Sequence, residues 1–454
     1  MSIAITSDAR TPGSKLLFAV LIAALLAIPL FATYLLVYDR ETQSATAQAS
    51  IAAGWGGPQR IAAPVLVIPY ATTATVTGTD NGQSTTRAST VWRELVLTPD
   101  TAQLVARLDP QHRRRSIYDA VVYQALASGR ARFSLPADLA RLGVEADSLA
   151  LDRAELRFGL SDARGLVGAP PLVRVGGRPL ALQPGGGPAA TGGQGFHAWL
   201  DAGTLRAQPI IVDFRYAFRG NGSLALIPQG GDTRWTVTSG WSDPSFQGGF
   251  LPSEHHESKA GFTATWRVGN LALGSAVATA PTAGDDASAA AATPDPDQEA
   301  RVDLVTPVDL YSQVDRSVKY GFLFIGFSFL TFWLFDVIGG VAVATVEYLL
   351  VGAGLVLFFV MLLAFAEVVG FAAAYVIAAG AIVGLLTAYS AAVLASWRRA
   401  GMIAGLLGAL YGVLYVLLSL EAYSLLIGSL LLFAALAAVM FLTRRIDWRG
   451  DNAV

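Results

Sequence analysis

The chain contains no cysteine, which excludes disulfides, iron–sulfur clusters, thiolate zinc sites and a cysteine nucleophile. Any part of it outside the cytoplasm must be held together by its core alone. Charge is scarce as well: 15% of the 454 residues are charged, and 32 Lys+Arg against 34 Asp+Glu leave a formal net charge of -2. Nucleic-acid binding requires a dense positive field that this balance lacks, so no nucleic-acid partner is expected. Histidine occurs only 4 times, with no His-x-x-x-His pair to hold a metal from one helix face. His255-His256-Glu257 reads as a solvated loop, because adjacent histidines on a strand point apart. Ser245 lacks a Gly-x-Ser-x-Gly elbow and reads as a turn cap, while Gly185-Gly186-Gly187-Pro188 lacks the Gly-Lys-Ser/Thr ending of a phosphate loop and reads as flexible spacer. No catalytic residue, cofactor or metal is expected, and the reading is of a protein that is not an enzyme.

What the chain has in excess is apolar surface, with 53% hydrophobic residues and a mean hydropathy of +0.48, outside the range of an ordinary soluble protein. Leu16 to Tyr38 is an uncharged run long enough to span a bilayer as a helix. Arg10 and Lys15 precede it and set the N-terminus in the cytoplasm by the positive-inside rule. Residues 320–443 are apolar again, divided at Asp336, Glu347, Glu367, Arg398, Arg399 and Glu421 into five expected helices: Tyr320 to Ile338, Val343 to Ala366, Gly370 to Leu394, Met402 to Leu420 and Tyr423 to Leu442. Five crossings that start outside end inside, which puts Arg398-Arg399 and Arg444-Arg445 in the cytoplasm. Gly380/Gly384, Gly401/Gly405 and Gly408/Gly412 have the spacing that brings helices close, and are expected to pack within one bundle. Arg316, Lys319, Glu367 and Glu421 lie at run ends and are candidate membrane-interface charges, meeting at one outer interface.

Between these apolar parts, residues 39–315 alternate with a period of two. Val212, Phe214, Tyr216 and Phe218 interleave with Asp213, Arg215 and Ala217, and Phe262, Ala264, Trp266 and Val268 with Thr263, Thr265 and Arg267, the pattern of half-buried strands. Further strands are expected at Pro64 to Val76, Trp92 to Leu97, Gln103 to Leu108, Tyr118 to Ala127, Ser223 to Ile227 and Arg234 to Thr238. The expected fold is an α+β membrane protein: an N-terminal transmembrane helix (1–38), a large antiparallel β-rich, sandwich-like periplasmic domain (39–315), a bundle of five transmembrane helices (316–443) and a cytoplasmic tail (444–454). Residues 77–89 and 183–195 read as mobile, and 278–298 as disordered because its Ala, Asp, Pro and Thr cannot bury a core. His112 with Arg113, Arg114 and Arg115 reads as a basic loop. Trp55 and Gln59, and Trp241, Pro244 and Phe246, mix aromatic and turn residues and are candidate partner contacts.

The residues Trp55-Gly56 with Gln59, Pro64-Val65-Leu66 with Pro69-Tyr70, Ser161-Asp162 with Arg164-Gly165, Gly222-Ser223, Trp241, Pro244-Ser245-Phe246, Gly248, Leu251-Pro252 and Gly261-Phe262 with Ala264 and Trp266 resemble the CreD family of inner-membrane cell-envelope proteins. The likeness continues through Arg316, Val318-Lys319-Tyr320-Gly321, Tyr348, Gly352, Glu367, Gly370-Phe371, Tyr415 and Leu442-Thr443-Arg444-Arg445 with Asp447-Trp448. It departs at Ser116, where a glycine is expected, and at Val368, where a histidine is, and lacks a His-Pro before Tyr348. The resemblance implies a multi-pass inner-membrane protein of envelope integrity, under the CreB/CreC two-component system, and supplies no catalytic residues. Membrane lipid and a periplasmic, cell-wall or outer-envelope component are the expected partners. Two readings follow: a non-enzymatic envelope protein whose external domain binds such a component, or a transporter or lipid-handling protein with the bundle as its working part. The second would depend on Glu367 or Glu421.

Overall fold

The computed structural model describes residues 12–80, 83–115, 118–280, 296–304, 310–338, 345–393, 396–419 and 424–444. The chain divides into two compact units, residues 46–307 and residues 1–45 with 308–454. Helix α1 (Pro12–Trp55) begins in the second of these and ends in the first, leading into β1 (Gln59–Asp80), β2 (Gln83–Leu97), β3 (Thr101–Arg115) and β4 (Tyr118–Phe133). Short strands follow: β5 (Ala154–Leu160), β6 (Leu172–Val175), β7 (Arg178–Pro179), β8 (Leu182–Pro184) and β9 (Gly195–Leu200). Then come β10 (Ile210–Asn221), β11 (Ser223–Ile227), β12 (Asp232–Ser239), β13 (Pro244–Gly248), β14 (Glu254–Ser258) and β15 (Gly261–Gly269). The unit closes with the single turn α2 (Asn270–Leu273), β16 (Ala278–Thr279) and β17 (Ala300–Leu304).

These strands form two sheets among the described residues. The first runs β13-β17-β11-β1-β5-β9-β8, with β2 on the outer half of β1 and β16 on β2; the second runs β14-β15-β12-β3-β4-β10-β6-β7. The sandwich is not purely antiparallel. Gln59 of β1 pairs in parallel register with Leu224 of β11, and Thr101 of β3 with Asp232 of β12, so among the described residues each sheet contains one parallel pairing.

Alternation sorts the side chains as the pattern requires. In β10, Ile210, Val212, Phe214, Tyr216 and Phe218 are buried while Ile211 and Arg215 are exposed. The buried row meets the first sheet through aromatic contacts: Phe158 lies 5.5 Å from Phe214 and 5.0 Å from Phe196, and Phe196 lies 5.5 Å from Tyr216. Strand β1 departs from alternation because both its faces are covered; Ile61 to Ile68 reads as an apolar run and every described non-proline side chain in it is buried. One cover is the segment around Leu149 and Leu151, where the Ala150 N–H donates to Pro69 O at 2.8 Å. Another is the stretch expected to be mobile at 183–195. Its glycines take positive φ (Gly185 at 76°, Gly192 at 63°) and allow backbone turns closed by Gly187 N–H to Gly193 O and by the Thr191 hydroxyl to Gln194 O. It is folded, not spacer. The same holds for 77–89, most of which is the end of the β1–β2 hairpin, with Thr77 opposite Thr86. Of 278–298, both ends are ordered, Ala278–Thr279 as a strand and Pro296–Gln298 as a 3-10 turn, and 281–295 lies outside the described residues.

The other unit is helical: α3 (Leu310–Lys319), α4 (Gly321–Ile338), α5 (Thr345–Val369), α6 (Phe371–Val393), α7 (Trp397–Ser419) and α8 (Ser424–Thr443), with the first part of α1. Among the described residues α1, α5, α6 and α7 are long and apolar enough to cross a membrane; α4 and α8 contain shorter apolar stretches, Gly321–Leu330 and Gly428–Phe441. Helix α3 is absent from the hydropathy reading, which leaves it in the external domain up to residue 315. It is amphipathic, burying Tyr311, Val314, Ser317 and Val318 on one face, and belongs to the helical unit. Small residues matter at other glycines than those expected: a Cβ on Gly321 would meet Leu30 Cδ1 at 2.8 Å, and one on Gly352 would overlap Leu26 Cδ1, so α1 seats against α4 and α5 there. Gly380, Gly384, Gly401, Gly405, Gly408 and Gly412 instead have nothing within 4 Å of a built Cβ, so they face outward from α6 and α7. The turn at 339–344, and Glu421, lie outside the described residues.

Candidate functional site

The motif pieces quoted above gather at two places in the sandwich. The first is a joint behind the end of α1. Gln59 is fully buried, and its amide is satisfied on both sides: Nε2 donates to Arg219 O at 2.8 Å and Asp162 O at 3.2 Å, while Oε1 accepts from the Ser161 hydroxyl and the Asp162 N–H, both at 3.2 Å. Gly165 is present because a Cβ there would lie 2.7 Å from both Arg219 O and Gln59 Nε2. Asp162 caps the following turn and pairs with Arg164, whose guanidinium holds the carboxyl below the usual carboxylate range by hydrogen bonding. The guanidinium groups of Arg219 and Arg113 lie 4.3 and 4.5 Å from the Trp55 ring centroid, and the indole N–H donates to Tyr123 O at 3.2 Å. The Tyr123 hydroxyl, whose pKa burial pushes far up, donates to Ser223 O at 2.7 Å.

These contacts correct the expectation for Gln59, since a side chain that is buried with all its hydrogen bonds made cannot meet a partner. Trp55 is half-exposed, with two guanidinium groups close to its ring. Together the contacts lock the helix end to the strands. The basic stretch His112 to Arg115 is corrected too: it continues β3, paired with β4 as far as Arg115 opposite Tyr118, and His112 Nδ1 lies 2.6 Å from Asp119.

The second gathering is at the edge strand β13. Phe246 is half-buried, 5.6 Å from Trp266 and 5.9 Å from Phe262, and so ties the edge of the first sheet to the second. Ser245 is in the strand and accepts from Gln247 Nε2 at 2.8 Å; it caps no turn. Trp241 and Pro244 remain half-exposed, and Trp241 lies 5.4 Å from the His112 ring. His255 and His256 lie on β14, not in a loop, and point apart as strand neighbours do: His255 is 5.5 Å from the Phe246 ring, while His256 lines a shallow groove of about 450 Å³ with Arg107, Thr238, Ser239, Ser258 and Thr263. Sequence reasoning missed this groove, since its walls come from strands β3, β12, β14 and β15.

In the helical unit the expected meeting of interface charges is redistributed. Lys319 pairs with Asp315 at 2.6 Å, one turn away, and Arg316 Nε donates to Ser312 O. Glu367 accepts from the Tyr311 hydroxyl at 3.3 Å and lies 4.0 Å from Arg40 of α1. Arg40, two residues after the first apolar run, was the readable signal for that contact.

The architecture is that of a multi-pass membrane protein bearing a β-sandwich between its first and second membrane-embedded parts. A sequence model of the family described as "Inner membrane protein CreD" matches residues 11–449. The Inner membrane protein CreD of Escherichia coli (strain K12) is 31% identical over 430 residues, covering 93% of this chain and 91% of that protein. The chain belongs to the CreD family and is an inner-membrane protein.

Proposed function

We propose that this is a non-enzymatic envelope protein whose sandwich lies in the periplasm and binds an envelope component, while the helices anchor it. The N-terminus, Arg398-Arg399 and the C-terminal tail are then cytoplasmic, in keeping with the positive-inside rule. On this reading the protein's expression follows the state of the envelope through the CreB/CreC two-component system, a context that membership of the CreD family supports. The observation that carries the reading is the joint at Gln59: the last turns of α1 belong to the sandwich unit, where Trp55 bonds to Tyr123 of β4, so the helix that begins in the first apolar run ends as part of a folded domain whose remaining surface is open to a partner. Trp241, Pro244 and Phe246, each half-exposed, and the His256 groove are the accessible parts of that surface near the motif residues.

The test is in-cell photocrosslinking of the full-length chain from position 241 and from position 256, combined with reporter fusions at residue 81. Capture of a discrete envelope component, with a periplasm-dependent reporter active at 81, is expected. A reporter active only in the cytosol, or no captured component from either position, overturns the reading.

A further inference from the structure

The exposed face of the second sheet carries an arginine band that neither the fold nor the joint requires. Its members lie in one register line across six neighbouring strands: Arg267 of β15 is opposite Arg234 of β12, Arg234 opposite Gln103 of β3, Gln103 opposite Arg130 of β4, Arg130 opposite Asp213 of β10, and Asp213 opposite Arg174 of β6. At about 4.8 Å per strand this line is roughly 24 Å long. The rows on either side add Arg132 and Arg215. Two of the six arginines have counter-ions: Arg130 meets Asp213 at 2.6 Å and Arg267 meets Asp232 at 3.0 Å. Arg132, Arg174, Arg215 and Arg234 are exposed and have no acidic partner among the described residues.

Three considerations point to a ligand. Arg132, Arg174, Arg215 and Arg234 stand on this face without a counter-ion among the described residues, and Arg234 lies opposite a second arginine, Arg267, whose own charge Asp232 meets. The first sheet handles its charges in the opposite way: Arg157 is held by Glu94 and Glu155, Arg60 by Glu299 and Arg301 by Asp303. Between the arginines stand Thr236, Thr265, Gln103 and Ser128, with isolated Val105, Ile211 and Leu172 and no aromatic. A protein partner would be expected to find a desolvated aromatic core, whereas guanidinium forks spaced along a line suit repeated phosphate or carboxylate groups.

We propose that this face binds an extended anionic polymer, a chain of phosphate- or carboxylate-bearing units lying across the strands. The proposal rests on the reading that the sandwich binds an envelope component, and names that component's chemistry. It is tested with the full-length protein in neutral detergent, measuring binding of linear polyphosphate, of polygalacturonate and of vesicles of phosphatidylglycerol with phosphatidylethanolamine. At least one polymer is expected to bind, with affinity falling as salt rises. The triple variant Arg132→Gln/Arg215→Gln/Arg234→Gln should weaken it by about tenfold or more, whereas the same three positions changed to Lys should stay within about threefold. A charge-matched variant elsewhere on the sandwich, Arg141→Gln/Arg153→Gln/Arg206→Gln, should leave binding unchanged. Equal loss in both Gln variants, binding of vesicles but of neither polymer, or no binding at all would overturn the inference. If crosslinking from 241 or 256 still captures a component in cells after such a result, the broader reading stands and only the polymer is wrong.

Discussion

The sandwich and the helical unit treat their large apolar side chains in opposite ways. In the sandwich the large apolar side chains point inward: Phe158, Phe218, Trp235 and Trp266 are each at most 1% exposed. In the helical unit many point outward, with Phe433 at 71% and Leu385 at 55% exposed, because hydrocarbon is as good a solvent for them as another helix. The same residue type is therefore a source of folding free energy in one unit and merely compatible with its surroundings in the other. Substitutions that remove apolar volume and substitutions that add charge should rank the two units in reverse order.

The largest expected effect is removal of volume from the sandwich. Phe158→Ala takes away a ring that contacts both Phe196 and Phe214 and should destabilise the unit by about 3–5 kcal/mol. The lipid-facing Leu406→Ala should change stability by no more than about 0.5 kcal/mol. Denaturant unfolding of the full chain in detergent, followed by tryptophan fluorescence, measures both; equal effects would dissolve the contrast. Charge should act the other way. Leu385→Asp, midway along α6, is expected to cost about 2.5–3.5 kcal/mol on membrane insertion, whereas Ile211→Asp on the exposed side of β10 should stay within about 0.5 kcal/mol. The inserted fraction of each variant, by carbonate extraction, decides it.

What the sequence makes legible follows the range of the interactions concerned. The half-buried strand at Val212 to Phe218 is readable because its signal is local, each residue against the next. The apolar spans are readable for the same reason. The two parallel pairings are not, since Gln59 and its partner Leu224 lie far apart in the chain and no local pattern links them. Gln59 is the sharpest case: its hydrogen-bond partners lie 103 and 160 positions away, so nothing around it in the sequence distinguishes a satisfied core amide from an exposed contact. The arginine band is equally non-local, because β3, β4, β6, β10, β12 and β15 each contribute one or two residues to it. Helix α3 escapes a hydropathy search because its buried face is a stripe on a helix that is polar elsewhere.

The joint at Gln59 sits between these regimes, since it uses polar groups where the sandwich core uses rings, and one of them titrates. Asp162 accepts from the Arg164 guanidinium and from the Arg164 N–H, and these bonds lower its pKa below the value of a free aspartate. A carboxyl whose folded pKa is depressed contributes stability that is complete above its unfolded value, about 3.9, and that is lost as pH falls through the folded value. Acidification below about pH 4 should therefore loosen the turn at Ala163–Gly165 before it touches the apolar core. Because Arg164 is 84% exposed, solvent screening keeps the effect small, about 2 °C in Tm. Asp162→Asn should abolish that acid-dependent increment while leaving the Gln59 bonds to the Asp162 backbone in place. Thermal unfolding of the native protein and of the Asp162→Asn variant between pH 3 and pH 7 checks this, and an identical pH profile for the two would remove the Asp162 carboxylate from the account of the joint.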